Sequence, residues 1–137
     1  MASRAADDTE RFAERYRVMG AAAALAVETE ALGSDYQANG YTTIEQADEL
    51  GRVCGLAPGR VLVDVGSGCG WPGLYIALKH GCALVTIDRV AQGVAVAARR
   101  AIRDGQEGTT LAIQADATAL PLRAASVDVV LHTDLLC

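Results

Sequence analysis

The chain reads as an α/β protein: a Rossmann-like, doubly wound, mostly parallel sheet behind an amino-terminal helical cap. Three observations predict this. From Pro58 onward, short aliphatic runs alternate with helical segments. The first run, Val61-Leu-Val-Asp-Val65, passes straight into glycines at alternate positions, Gly66, Gly68 and Gly70. Before Pro58 the apolar spacing is helical, apart from a loop at 34–41. Strands and helices alternating at this pitch imply right-handed crossovers between parallel strands. At 137 residues and 51% hydrophobic, the chain has enough apolar material for one packed core.

Two regions follow, 1–57 as cap and 58–137 as the start of the sheet domain. In the first, Asp7 and Glu10 have the spacing of a capping box, and Phe12, Tyr16, Met19 and Ala23 share one helical face. This helix is expected to run to Leu32, with Gly33 as its stop. A loop follows. Thr43 and Gln46 then form a second capping box, opening a helix that buries Ile44, Ala47, Leu50 and Cys54 and stops at Gly55. In the second region, strands are expected at 60–65, 83–87, 110–114 and 125–132, with helices at 71–80 and 90–103. The last helix should bury Val94, Ala97, Ala98, Ala101 and Ile102.

Charge and cysteine usage narrow the setting. The net charge is −5 and no basic run exists, so nucleic acid is not an expected partner. No stretch approaches the roughly 20 apolar residues of a membrane span. Cys54, Cys69, Cys82 and Cys137 match no metal or redox spacing, so no metal is expected, and a cytoplasmic location fits.

The glycine turn is the most informative segment. Glycine permits positive φ and close approach of a ligand to the backbone. The first strand of such a sheet opens a crevice at its carboxyl end. A dinucleotide fingerprint would be G-x-G-x-x-G, whereas here the spacing is G-x-G-x-G with Asp64 two residues earlier. A carboxylate there disfavours a pyrophosphate and suits a cation. Asp88 ends the second strand and Asp116 follows the third. Each has a local alternative, Asp88 as a helix cap and Asp116 as a turn former. Trp71 could cover either a ligand or the core. Asp128 reads as a local packing or pairing residue, and His80 as structural.

The segment Asp64-Val-Gly-Ser-Gly-Cys-Gly70 resembles motif I of the class I S-adenosylmethionine-dependent methyltransferases. Asp88 matches the family's ribose-binding acid. Gln114-Ala-Asp-Ala-Thr-Ala-Leu-Pro-Leu122 is similar to its adenine-flanking segment. The likeness runs from about Thr42 to Cys137. It implies S-adenosylmethionine as cofactor, S-adenosylhomocysteine as product, and in-line methyl transfer to a small-molecule acceptor. It also implies roles for residues. Asp64 would orient the methionyl amino group, and Gly66, Ser67, Gly68 and Gly70 would line the backbone approach. Asp88 and Arg89 would lie at the ribose, and Asp116 and Ala117 would frame adenine. His132 would stand at the crevice, with Thr133 as an alternative contact, and Tyr41 could reach the methionine end. Few general bases are on offer; His132 is the candidate, with a plain polar strand end as its alternative, and no catalytic residue is assigned. The family sheet has seven strands, of which this sequence supplies four, in the order 3-2-1-4. The fourth would then be an exposed apolar edge, open to self-association. Two rival readings are an incomplete domain with a binding or partner-subunit role only, and a nicotinamide-dependent oxidoreductase. The glycine spacing and Asp64 oppose the second.

Overall fold

A computed structural model describes residues 2–135, with side chains from residue 6 onward; Cys137 lies outside the described residues. Helices α1 (Ala2–Met19), α2 (Ala22–Leu32) and α3 (Ile44–Val53) precede an alternating series. That series is β1 (Val61–Val65), α4 (Gly73–His80), β2 (Ala83–Asp88), α5 (Ala91–Arg103), β3 (Thr110–Gln114) and β4 (Val129–Leu131). The four strands are parallel in the order β3-β2-β1-β4, as the sequence predicts. All four carboxyl ends therefore open on one side, where the site lies.

The central strand is the most deeply buried, with Leu62, Val63 and Asp64 each at most 1% exposed. Its continuous apolar run is explained by cover on both faces. Leu62, Leu74, Ile76, Leu84, Ala97 and Ala101 form the main core on one face. Val63, Val65 and Ile87 form a smaller one on the other. The helix α5 meets the sheet through Gly93, Ala97 and Ala101, whereas Ile102, expected inside, is 63% exposed.

The amino-terminal region departs from expectation in two places. Helix α1 begins at Ala2, so Asp7 sits inside it and does not cap it. The single long helix is also broken at Gly20–Ala21. A Cβ on Gly20 would come within 2.6 Å of Gln37 Nε2, and Gln37 donates to the Tyr16 carbonyl across the bend at 3.2 Å. The stop at Gly33 is as predicted: its φ is 75° and its N–H donates to the Thr29 carbonyl. The Thr43–Gln46 capping box forms in both directions.

The fourth strand is shorter than expected. Ala125 adopts φ 55°, which turns the chain before pairing begins. Asp128 accepts from Val61 N–H at 2.8 Å and lies 3.7 Å from Arg60, the local pairing role read for it. Among the described residues, no helix is long and apolar enough to cross a membrane.

Candidate functional site

A cavity of about 610 Å³ lies at the carboxyl ends of the strands. Its floor is the turn after β1, contributed by Gly66, Ser67, Gly68 and Cys69. One wall comes from the ends of β2 and β3: Asp88, Arg89, Val90, Asp116 and Ala117. The opposite wall combines Thr133, Asp134 and Leu135, after β4, with the loop Ala38, Asn39, Gly40 and Tyr41. Helix α1 roofs it with Arg11, Phe12, Arg15 and Tyr16.

The turn is built by close approach of main chain to main chain. Gly66 and Gly68 have φ of 73° and 53°, where a Cβ would be strained. Gly66 N–H and Ser67 N–H both donate to the Ile87 carbonyl, at 2.8 and 3.1 Å. That pair of hydrogen bonds ties the turn to β2. Helix α5 also presses on it, because a Cβ on Gly93 would lie 2.6 Å from the Gly68 carbonyl oxygen.

Asp88 sits where these elements meet and is 6% exposed. One carboxylate oxygen accepts from Gly68 N–H and the other from Val90 N–H, each at 2.8 Å. An ionised carboxylate offers about four lone-pair positions. Two backbone bonds therefore fix its orientation and leave acceptor capacity toward the cavity. Asp88 does not cap α5, whose N-cap is Val90 without a side-chain cap bond; its bond to Val90 N–H closes a local turn before the helix.

Asp64 is placed differently. It is 1% exposed, does not line the cavity, and accepts from Gly73 N–H at the start of α4 at 3.0 Å. Burial pushes its carboxyl up to about 8; the Gly73 N–H opposes this, and the nearby Asp88 charge adds to it. Gly70 also lies off the cavity: a Cβ there, at φ 101°, would meet Leu74 at 2.3 Å. Its role is to admit α4 to the sheet.

Asp116 lines the cavity while accepting from both Thr118 N–H and Thr118 Oγ, at 2.8 and 2.7 Å. The Thr118 hydroxyl and then its N–H hold this carboxyl below its ordinary range. His132 is exposed and is not among the lining residues, whereas Thr133 is. Trp71 takes the core alternative read for it. Its ring packs in the core at 5.2 Å from Tyr36, its indole N–H donates to the Thr42 carbonyl at 2.9 Å, and it borders the cavity. Tyr41 borders the cavity but is 82% exposed.

Tyr16, Arg11, Arg15, Asn39 and Asp134 were not expected here. Tyr16 is 5% exposed and packs with Cys69 and Val90. Its hydroxyl would lie 3.2 Å from a Cβ on Gly68. Burial, and next the Asp88 charge, push both the Tyr16 hydroxyl up and the Cys69 thiol up to about 12. Tyr16 belonged to the apolar face of α1 in the sequence, but nothing in that periodicity says the face meets the glycine turn. Among the described residues, no group of His, Cys, Asp and Glu is arranged to hold a metal ion.

A glycine turn, an anchored acid ending β2 and a second acid after β3 thus face one cavity at the carboxyl ends of a Rossmann-like sheet. The family described as methyltransferase domain matches residues 63–137, and the chain belongs to it. An S-adenosylmethionine-dependent methyltransferase from Thiobacillus denitrificans, solved with S-adenosyl-L-homocysteine, is 30% identical with a TM-score of 0.60. The match covers 67% of this chain and 37% of that one. A counterpart from Geobacter sulfurreducens, also with S-adenosyl-L-homocysteine, is 28% identical at TM-score 0.61, covering 68% and 37%. An RNA methyltransferase from Salinibacter ruber, with the same ligand, is 27% identical at 0.52, covering 55% and 49%. The chain thus spans little more than a third of the length of the first two. No curated protein matches the sequence.

Proposed function

We propose that this chain is the cofactor-binding part of an S-adenosylmethionine-dependent methyltransferase acting on a small-molecule acceptor. The observation that carries the reading is Asp88, locked by Gly68 N–H and Val90 N–H at the edge of the cavity. A carboxylate so held is preorganised to accept from two vicinal hydroxyls, as on a ribose. The residues fit such a nucleoside. Gly66 and Gly68 present backbone without side chains, and Asp116 and Ala117 close the far side.

Bound cofactor supplies an activated methyl group on a sulfonium, suited to in-line displacement. The chain's own contribution is positioning and exclusion of water. Tyr16 and Phe12 roof the cavity with aromatic surface, and Trp71 borders it. The 1–57 region acts in this proposal as the cap and 58–137 as the sheet portion. Net charge −5 favours a small acceptor over nucleic acid. Cys54, Cys69 and Cys82 are unpaired, which supports a reducing, cytoplasmic setting.

Calorimetry with S-adenosylhomocysteine and with NAD tests the reading. Binding of the first at micromolar dissociation constant, with none of the second, is expected. Asp88→Asn should weaken it about tenfold, the loss of one charge-assisted hydrogen bond. Heat from NAD alone would overturn the proposal.

A further inference from the structure

Helix α2 is built inside out. Its one buried residue is Glu28, while Ala22, Ala23, Ala26, Val27 and Ala31 are exposed, Val27 at 66%. A surface helix ordinarily turns its apolar stripe inward and its charge outward. The inversion has a cause on the inner side. Glu28 accepts from Ser34 Oγ, Tyr36 N–H and Ala38 N–H at 2.7, 2.8 and 3.1 Å, so its carboxyl must point in to hold the loop. At about 100° of rotation per residue, Ala22, Ala23, Ala26, Val27 and Glu30 then lie on the opposite side. Val18, near the end of α1, adds an aliphatic side chain at 54% exposure. Nothing in the fold requires this outer face to be apolar.

Charge decides what fits it. The positive end of a helix dipole favours carboxylates and the negative end favours cations. Among the described residues, α2 has no side-chain cap at Ala21, no acid in its first turn and no base in its last. Glu30 is the one charge on the outer face, and it sits at the negative end. A second α2 laid antiparallel and centred on Ala26 corrects both defects. It sets Glu30 beside Ala22 of the other copy, at the uncapped N-terminus, and two-fold symmetry makes this contact twice. A parallel pair would instead bring Glu30 against Glu30. Alanine at 22, 23 and 26 lets the two axes approach to the close end of the about 8–10 Å usual for packed helices.

We infer that the outer face of α2 is a self-association surface, taking the α2 of a second copy of this chain antiparallel about Ala26. The inference is independent of the methyltransferase reading. The face gives no residue to the cavity between the glycine turn and the loop 38–41, so pairing leaves that cavity open. An 11-residue helix is only about 16 Å long. Such a face is smaller than the roughly 800 Å² per partner of a standard interface, and the dimer is accordingly weak.

Sedimentation of the 137-residue chain from about 10 µM to about 1 mM tests this. A reversible monomer–dimer equilibrium is expected, with a dissociation constant on the order of 100 µM. Ala26→Glu sets two carboxylates against each other on the symmetry axis and should weaken association at least about tenfold. Its urea midpoint should match the wild type, because the position is exposed. Glu30→Lys, also exposed, removes the complementary charge and should weaken association about fivefold. Ala26→Cys under mild oxidation should give a covalent dimer linked between the two substituted positions, read by peptide mass mapping. A chain that stays monomeric throughout would overturn the inference. So would a dimer unaffected by Ala26→Glu, which would place the contact elsewhere, as at the edge of β4. If Ala26→Glu lowers the urea midpoint, Glu30→Lys decides, and unchanged association in it would overturn the inference.

Discussion

The glycine turn after β1 and the loop between α2 and α3 face each other across one cavity, yet they are built on opposite plans. The turn is specified locally. Gly66, Gly68 and Gly70 adopt left-handed φ in sequence, and any other residue there would be strained. The loop has no such code. Its shape comes from Glu28, which holds Ser34, Tyr36 and Ala38 at once, and from Arg100 on α5. The Arg100 guanidinium lies 3.6 Å over the Tyr36 ring and donates to the Asp35 carbonyl at 2.6 Å. A loop made by side chains from two helices depends on each of them. Both regions contain a buried carboxyl, and the two differ in the same way. Glu28 is satisfied by three donors from residues 34–38, whereas Asp64 has one N–H, from Gly73.

Breaking the loop should therefore cost most. Glu28→Ala leaves three donors in a buried site without their acceptor. At about 1–3 kcal/mol for each unsatisfied group, with incomplete additivity, a loss of about 3–5 kcal/mol is expected. Urea unfolding reads it. Glu28→Gln keeps one acceptor oxygen and should lose less. Equal midpoints for wild type and Glu28→Ala would show that the loop is not held as described.

Asp64 sharpens the contrast through pH. Its folded carboxyl is raised to about 8 from 3.8, so the folded chain keeps a proton that the unfolded chain releases. Its contribution to stability is present below the unfolded value, declines as pH rises toward 8, and levels off beyond. Asp64→Asn removes that slope. Between pH 6 and pH 8 the stability difference should move in the variant's favour by about 2 kcal/mol, from about 1.4 kcal/mol per pH unit over most of that range. A difference that stays flat would mean that the carboxyl is ionised throughout.

The smallest effect is expected at the contact of α5 with the turn. Gly93→Ala places a Cβ 2.6 Å from the Gly68 carbonyl oxygen. Backbone must yield there, at about 1–2 kcal/mol. Because Gly68 N–H anchors Asp88, affinity for S-adenosylhomocysteine should fall along with stability. Unchanged affinity in a destabilised variant would separate the packing of α5 from the site.

Much of the sheet half was legible in sequence, because each signal there is short-range. Aliphatic runs predict β1, β2 and β3 to within a residue of their observed ends. The glycine spacing identifies the turn, and the acids at 88 and 116 fall at strand ends facing one cavity. The amino-terminal half was less legible. Its apolar spacing marks helices, but the break at Gly20 depends on Gln37, far along the chain. The fourth strand was overextended for a related reason. Its apolar residues continue before Val129, but the left-handed Ala125 stops the pairing.

The roles of individual acids divide along the same line. Asp64, Asp88 and Asp116 look alike in sequence, each at a strand end in an apolar neighbourhood. Residue order alone determined the fold class, the parallel sheet and the place of the turn, because backbone preference and strand periodicity act within a few residues. Tertiary structure decided which acid faces the cavity, which one caps α4, and that Tyr16 and Asn39 come from far upstream to complete the walls. Burial and hydrogen-bond partnership depend on elements that meet only when the chain has folded.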